Sequence, residues 1–373
     1  MKVMTVLGTR PEIIRLSLVI PILDQSVEHV LVHTGQNFDD GLDGVFFRDL
    51  GVRRPDVNLG AMGGFATQLG AILSGVERLL LEHRPDRLLI LGDTNSGLSA
   101  IVARRMGVGV YHMEAGNRCH DDRVPEEVNR RIIDHCSTVL MPYTNRSREN
   151  LLREGIPGER IYTTGNPIKQ VVDRFASQIA ASEILSRLDL SPGEFFLVTM
   201  HRAENVDNPA RLKDLIDALA RLRAKYGYPV VCSIHPRTAS KIDQFGIDAR
   251  TADLRLLAPM GFFDFIHLER NSYCCISDSG TVQEEACIFG VPNVTIREVT
   301  ERPETVECGS NFLAGTDPAA ILRAVELVTA APPAWQPPPE YLAPSVAEAA
   351  CRIVIGFHSP DRAQLEWAAA ARG

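Results

Sequence analysis

Short apolar runs alternate with longer stretches of helical period along the chain. Residues 2–7 (KVMTVL), 29–33 (HVLVH), 87–91 (RLLIL) and 108–113 (VGVYHM) are rich in β-branched residues and leucine, and they are predicted to be strands. Between them the pattern predicts helices over 11–23, with Pro11 suited to the first turn, over 65–83 and over roughly 95–106. A further helix starts in the run from Val124 to Arg131. The rhythm restarts after residue 190, with strands at 195–200 (FFLVTM), 229–234 (PVVCSI), near 254–257, at 273–277 and at 292–296 (PNVTI). Helices are predicted over 208–226 and from about 281 to 289. Strands that read as continuous apolar runs are covered on both faces, which is what a parallel sheet between two layers of helices requires. The expected fold class is therefore α/β, with two Rossmann-like doubly wound domains.

The 373 residues suffice for two such domains. The join falls near 166–190, where Asn166-Pro167 interrupts the pattern and a helical connector follows. This predicts a first domain over 1–170 and a second over 171–355. A helical tail over 356–373 is expected to pack back on the first domain. Six prolines in 332–344 mark a loop, the last helix begins near Ser345, and Gly356 kinks or ends it. No internal repeat or low-complexity tract is present.

Composition narrows the function. The formal net charge is −8, which argues against a nucleic-acid surface built from clustered Lys and Arg, though not against a nucleotide held at a local anion site. None of the eight cysteines forms a C-x-x-C pair, so reduced, partly buried thiols are expected. The apolar run after Lys2 is too short for a signal peptide, and no stretch of 18 apolar residues exists. No membrane span is expected, and the expected address is the cytoplasm.

In open α/β sheets ligands bind beyond the carboxyl ends of the strands, so the residues following each strand carry the candidate chemistry. Gly8-Thr9-Arg10-Pro11-Glu12 follows the first strand: Gly8 permits a tight turn, and the helix start can hold an anion. The same residues also suit a plain strand–helix turn with Arg10 on the surface. Gly92-Asp93-Thr94 and Glu114-Ala115-Gly116-Asn117-Arg118 follow two further strands, and Glu126 sits at the start of the next helix. Acidic residues beside glycine at strand ends suit acid/base work. Taken singly, Asp93 also reads as a helix cap and Glu126 as a helix-dipole partner.

In the second half, His201-Arg202 and His235-Pro236-Arg237 lie beyond the first two strands. Asp278-Ser279-Gly280 joins a strand to a helix, where backbone N–H groups can meet a diphosphate. Glu285, inside that helix, suits ribose hydroxyls or, equally, a solvated helix position. No G-x-G-x-x-G follows any strand and no G-x-x-x-x-G-K-[ST] occurs, so no tightly bound NAD and no P-loop are expected. His112, Glu114, His120 and Asp121 look like scattered metal ligands without a matching third and fourth, so no metal is expected.

GTRPE, GDTNS, EAG, VPEEVNRR, GNP, HRAEN, HPR, DSGTVQEEA and TERPE, in this order from residue 1 to about 315, resemble the non-hydrolysing UDP-N-acetylglucosamine 2-epimerases. The resemblance implies two Rossmann-like domains with a cleft between them, as in GT-B glycosyltransferases, a homodimer and no cofactor. It implies interconversion of UDP-GlcNAc and UDP-ManNAc by anti elimination of UDP to 2-acetamidoglucal, followed by re-addition. By motif matching, Asp93, Glu114, Glu126 and His201 would be catalytic. Arg10, Ser279 and Gly280 would hold the diphosphate and Glu285 the ribose. Arg15, Arg202, His235 and Arg302 would be further contacts to the UDP-sugar.

Three departures bear on the substrate. Arg15 stands where many members carry Lys; HRAEN replaces His-Arg-Arg-Glu-Ser; and Gln36-Asn37-Phe38 replaces Gln-His-Arg, a segment that binds a second, activating UDP-GlcNAc in some members. EAGNRC and HRAEN resemble a branch that includes archaeal enzymes and epimerases of UDP-2-acetamido-2,6-dideoxy-hexoses used in capsule and O-antigen sugars. Competing readings are that 6-deoxy-hexose epimerase, a hydrolysing relative releasing ManNAc and UDP, a GT-B glycosyltransferase, and a non-catalytic nucleotide-sugar sensor.

Overall fold

A computed structural model describes residues 1–35, 40–234, 236–248 and 254–356, without the side chains of 40–43. His235, the Gln36-Asn37-Phe38 segment and the expected tail beyond Gly356 lie outside the described residues. The chain divides into two compact units. Met1–Arg174 together with the chain from Pro339 onward forms the first, and Phe175–Pro338 forms the second.

The first unit is built on a parallel sheet of β1 (Lys2–Leu7), β2 (Glu28–His33), β3 (Val57–Asn58), β4 (Arg87–Leu91), β5 (Gly109–Met113) and β6 (Val139–Met141), in the order β3-β2-β1-β4-β5-β6. Alternate residues of these strands feed opposite faces. Met4, Val6, Val32, Leu88, Ile90 and Val110 pack against Ile72, Val76 and Leu79 of the Phe65–His83 helix. Val3, Leu7, Leu31 and Leu89 on the other face are just as buried. This two-sided burial is why the strands read as unbroken apolar runs.

The second unit repeats the plan with β7 (Phe196–Met200), β8 (Val230–Ile234), β9 (Leu254–Leu257), β10 (Cys274–Ser277), β11 (Asn293–Thr295) and β12 (Asn311–Leu313). Its order, β12-β11-β10-β7-β8-β9, is the same doubly wound topology read from the other edge. Phe196, Val198 and Met200 pack under Leu212, Leu215 and Leu219 on one face, while Phe195 and Leu197 pack with Leu268, Val282 and Ala286 on the other. In each unit the strand order reverses beside the first strand, between β1 and β4 and between β7 and β10. A doubly wound sheet opens its ligand crevice at that switch point.

Several elements differ from expectation. The helix expected over 11–23 is two pieces, Arg10–Leu16 and Val19–Ser26. Pro21 has no N–H to continue a helix through residue 17, and Ser17 closes the first piece by donating its hydroxyl to the Ile14 carbonyl at 2.7 Å. Asn95–Ser99 is a 3₁₀ turn that leads into the Ala100–Arg105 helix. Three short strands, β3, β6 and β12, and the Asp40–Asp49 helix were not anticipated.

The chain rejoins the first unit earlier than the 355/356 boundary, at Pro339. There the Asn166 N–H donates to the Glu340 carbonyl at 2.9 Å, and Gln170 Nε2 donates to Glu348 at 2.7 Å. The GNP segment is thus where the returning chain docks. Gly165 makes the approach feasible. It has φ +91°, and a Cβ there would lie 2.6 Å from the Ala343 Cβ and 2.9 Å from the Glu340 carbonyl oxygen.

Gly165→Ala is therefore expected to cost more than about 2 kcal/mol, through backbone strain plus a clash with packed backbone. Gly193, at φ +77° with open space around it, supplies the comparison. Gly193→Ala should cost only about 1 kcal/mol. Urea unfolding of both variants checks this, and equal losses would refute the close-approach argument.

Candidate active site

The carboxyl edge of the first sheet is organised around buried carboxylates. Glu12, in the first turn of the Arg10–Leu16 helix and 1 % exposed, accepts from the Gly8 N–H at 3.0 Å and the Thr9 hydroxyl at 2.8 Å, both on Oε2. Its Oε1 accepts from the Thr94 hydroxyl at 3.1 Å. One side chain thus ties the turn after β1 to the turn after β4, across the switch point. Burial pushes its pKa up to about 7, against the pull of these donors.

Asp93 follows Gly92 in the second of these turns and caps no helix: Thr94 occupies the N-cap position, without a side-chain cap. Instead, Asp93 Oδ2 receives Arg130 Nη2 at 2.6 Å and Nε at 3.1 Å, while its carbonyl receives Asn129 Nδ2 at 3.0 Å. Arg130 and Asn129 come from the Pro125–Cys136 helix, whose first turn holds Glu126. Glu127, the next residue, is wholly buried and fastens the loop after β5. It accepts from the Cys119 N–H at 3.0 Å, the His120 N–H at 3.1 Å and Arg130 Nη1 at 2.8 Å. Burial raises its pKa, but these donors outweigh it and hold the carboxylate below its ordinary range.

Glu114 stands directly beyond β5 in a left-handed backbone conformation, φ +66°. That region is uncommon for a non-glycine residue and is a mark of functional sites. Its carboxylate accepts from the Tyr143 hydroxyl at 3.1 Å and Asn117 Nδ2 at 3.3 Å. A Cβ built on Gly92 would lie 3.9 Å from it, so the Glu114 carboxyl adjoins the turn that carries Asp93. Arg15, 2 % exposed, approaches with Nε 3.9 Å from Glu114 and its guanidinium 5.9 Å from the Tyr143 ring centre. Arg10 lies over the Phe46 ring at 5.8 Å.

His112, read from the sequence as a stray ligand, is a buried strut. One ring nitrogen meets Asp134 at 2.9 Å and the other the Gly92 carbonyl at 2.9 Å. Each ring nitrogen is thus turned to an oxygen, one on the Pro125–Cys136 helix and one in the turn that carries Asp93. Asp134 also accepts Arg118 Nη1 at 2.8 Å and the Gly116 N–H at 3.2 Å. Burial raises the Asp134 pKa, but His112 and Arg118 bring it below its ordinary value. Among the described residues no group of three or more His, Cys, Asp or Glu side chains is arranged to hold a metal ion.

In the second unit the edge is held by Asp278, wholly buried beyond β10. Its carboxylate accepts from the His201 N–H at 3.1 Å, the Arg202 N–H at 3.0 Å and Asn205 Nδ2 at 3.1 Å. His201 Nδ1 lies 3.2 Å from it, which orients a ring that is otherwise 46 % exposed. Ser279 is the N-cap of the Gly280–Phe289 helix. Arg302, 6 % exposed, lies against Gly280, where a Cβ would sit 3.7 Å from its Cζ, and its Nε donates to Glu284. Glu285 is not a solvated helix position: it is only 5 % exposed.

Asp93, Glu114, Arg15 and the turn holding Arg10 thus share one edge, with Glu126 on the helix that anchors Asp93. His201, Arg202, Ser279, Gly280 and Arg302 share the other, with Glu285 behind them in the helix. Sequence alone assigned no role to the supports, Glu12, Glu127, Arg130, Asp134, Tyr143 and Asp278, although four of them lie inside its motifs. The signal for two of them was present, since Glu127 and Arg130 are three apart on a helix and share a face.

These features define a pair of doubly wound α/β units with acidic groups clustered at one switch point. The profile of the family described as UDP-N-acetylglucosamine 2-epimerase matches residues 23–354. A UDP-N-acetylglucosamine 2-epimerase of Methanococcus maripaludis is 39 % identical over 355 residues, 90 % of this chain and 94 % of the relative. A UDP-2,3-diacetamido-2,3-dideoxy-D-glucuronate 2-epimerase of Pseudomonas aeruginosa is 37 % identical over 321 residues, 84 % of this chain and 88 % of the relative. The crystal structure of Methanocaldococcus jannaschii UDP-GlcNAc 2-epimerase in complex with UDP-GlcNAc and UDP is similar with a TM-score of 0.90 and 37 % identity, covering 95 % of this chain and 99 % of that one. The chain belongs to the UDP-N-acetylglucosamine 2-epimerase family, and it is an isomerase.

The raised pKa of Glu12 has a testable sign. A carboxyl whose folded pKa of about 7 lies above its ordinary 4.5 makes the native state bind the extra proton, so stability is lost as pH rises between those values. Glu12→Gln can keep the geometry, its carbonyl taking the Gly8 and Thr9 donors and its amide donating to Thr94. The variant is expected to flatten the fall in stability from pH 5 to pH 8 by an amount on the order of 3 kcal/mol. Thermal melts across that range check it, and an unchanged slope would refute the assignment.

Proposed function

We propose that the enzyme inverts C2 of a UDP-N-acetylhexosamine, interconverting UDP-GlcNAc and UDP-ManNAc. The C2 proton is not α to a carbonyl, so a base cannot remove it while the anomeric oxygen stays attached. Departure of UDP solves this. The C1–O bond breaks with its electron pair leaving on the diphosphate, C2–H gives its proton to a carboxylate, and the C1=C2 bond of 2-acetamidoglucal forms. UDP then re-adds as C2 takes a proton on its other face.

The observation that carries this reading is the clustering of carboxylates at the first unit's switch point, with an anion-accepting turn at the second's. Asp93, Glu114 and Glu126 take the proton-handling roles, since delivery to two faces needs more than one such group. His201, oriented by Asp278, meets the leaving phosphate oxygen. Arg10, Ser279, Gly280 and Arg302 hold the diphosphate, with the N–H groups of the Gly280–Phe289 helix turned to the anion. Glu285 takes the ribose, and Arg15 and Arg202 complete the charge around the sugar phosphate. The crystal structure of the 37 % identical relative, whose complex contains UDP-GlcNAc and UDP, supports the substrate class.

The relative acting on UDP-2,3-diacetamido-2,3-dideoxy-D-glucuronate favours a second reading, the same C2 chemistry on another hexosamine. Rates on both nucleotides measured side by side separate the two. Met62 and Phe65, 71 % and 58 % exposed at the start of the Phe65–His83 helix, support assembly with a second copy, which light scattering on the purified protein tests. All eight cysteines are free thiols, which supports a cytoplasmic, reducing address. Among the described residues no helix is long and apolar enough to cross a membrane.

In deuterated water, UDP-GlcNAc should return UDP-ManNAc carrying deuterium at C2, and mass spectrometry of a product without it would sink the elimination route. Asp93→Asn, Glu114→Gln and Glu126→Gln should each lower turnover by about 10²–10⁴, the usual weight of general acid–base catalysis. Near-normal kcat in all three would remove them from the chemistry.

A further inference from the structure

Glu269 lies near the end of the Phe262–Asn271 helix and is wholly buried. No N–H or O–H of the described residues donates to either of its carboxyl oxygens. A buried charge with no donor is among the costliest arrangements a protein can hold. What faces it is a second carboxyl, that of Glu285 on the adjacent Gly280–Phe289 helix. Two ionised carboxylates can only repel, so contact between them requires a proton on one.

The surroundings say which one. Burial drives the Glu269 pKa well above the ordinary carboxyl range, and Glu285 beside it pushes the same way. Arg270, on the same helix, pulls down only weakly, with its guanidinium 4.6 Å from the Phe289 ring centre. Cys275, facing the pair from β10, is a buried thiol whose own pKa is pushed up by burial and by both glutamates. Burial of Glu269 and the Glu285 carboxyl beside it both favour a proton on Glu269.

We propose that Glu269 is a positioning residue for nucleotide recognition: as a neutral acid it donates a hydrogen bond to Glu285 and so aims that carboxylate at the ribose hydroxyls. The proposal rests on the functional reading above, in which Glu285 meets the ribose. It adds that a lone carboxylate on the Gly280–Phe289 helix would not suffice. Its orientation is fixed from behind by a carboxylic acid, and its charge is kept single by that acid's proton.

The test compares binding of UDP with that of 2′,3′-dideoxyuridine diphosphate, by calorimetry on the full-length protein. The two share uracil and diphosphate, so the titrations of those groups cancel in the ratio of affinities. Wild type should prefer UDP. Glu269→Leu should weaken UDP by about tenfold, the weight of one hydrogen bond to a charged group, and leave the dideoxy analogue within about twofold. Glu269→Gln, still a donor, should keep the UDP preference.

In wild type that preference should fall as pH rises and Glu269 loses its proton, while in Glu269→Gln it should stay level. Equal weakening of both nucleotides in Glu269→Leu, or the same alkaline fall in wild type and Glu269→Gln, would overturn the positioning role while leaving the nucleotide site intact. Failure of the wild type to bind UDP would instead overturn the functional reading and this inference with it. Should Glu269→Leu not fold, the pH comparison between wild type and Glu269→Gln decides alone.

Discussion

Taking a carboxylate out of water costs several kcal/mol unless N–H and O–H groups replace its hydration, and each sheet meets this demand at its switch point. In the first unit Glu12, after β1, draws in donors from its own turn and from Thr94 after β4. In the second, Asp278, after β10, draws in the backbone of His201 and Arg202 after β7. The strand pairs correspond, because β1–β4 and β7–β10 are the neighbours across which the strand order reverses. Two unrelated stretches of sequence thus reach one solution. A crevice left open by topology is given fixed walls by a single buried acid, and the groups on those walls inherit its precision.

Much of this was legible in the chain. Alternating apolar runs and helical periods are strong where strands are buried on both faces, and the expected doubly wound units stand. The misses share a physical cause. β3, β6 and β12 are two or three residues long, held by pairing with a longer neighbour rather than by their own pattern. The break at Ser17 depended on Pro21, whose effect falls four residues upstream. The boundary at Pro339 was hidden because the docking bond between Asn166 and Glu340 spans 174 positions of sequence. The motifs contained four of the six supports, Glu12, Glu127, Arg130 and Asp278, but nothing in them distinguished a support from a residue facing the crevice. Glu12 is ordinary until Thr94 is known to face it, and Glu269 sits in a segment with no motif.

The same edges bury an unusual set of cations. Arg118, Arg130, Arg297 and Arg302 are each at most 6 % exposed, and each meets a carboxylate. Such pairs add little net stability over apolar packing, but breaking one partner away costs about 3–5 kcal/mol. Their value here is geometric: a guanidinium holds two carboxylates in a plane, as Arg130 holds Asp93 and Glu127. The loops beyond β4, β5 and β11 are each tied by one of these pairs, through Asp93, Arg118 and Arg297.

Glu114 carries a different implication. At φ +66° its backbone occupies a region where glycine pays almost nothing and a residue with a Cβ about 1 kcal/mol or more. A lineage under selection for heat tolerance alone would drift toward glycine at this position. A side chain held there makes position 114 a gauge of what the molecule is for: a descendant that had given up its chemistry for some scaffolding duty would be free to relax this turn, and would be recognisable by having done so.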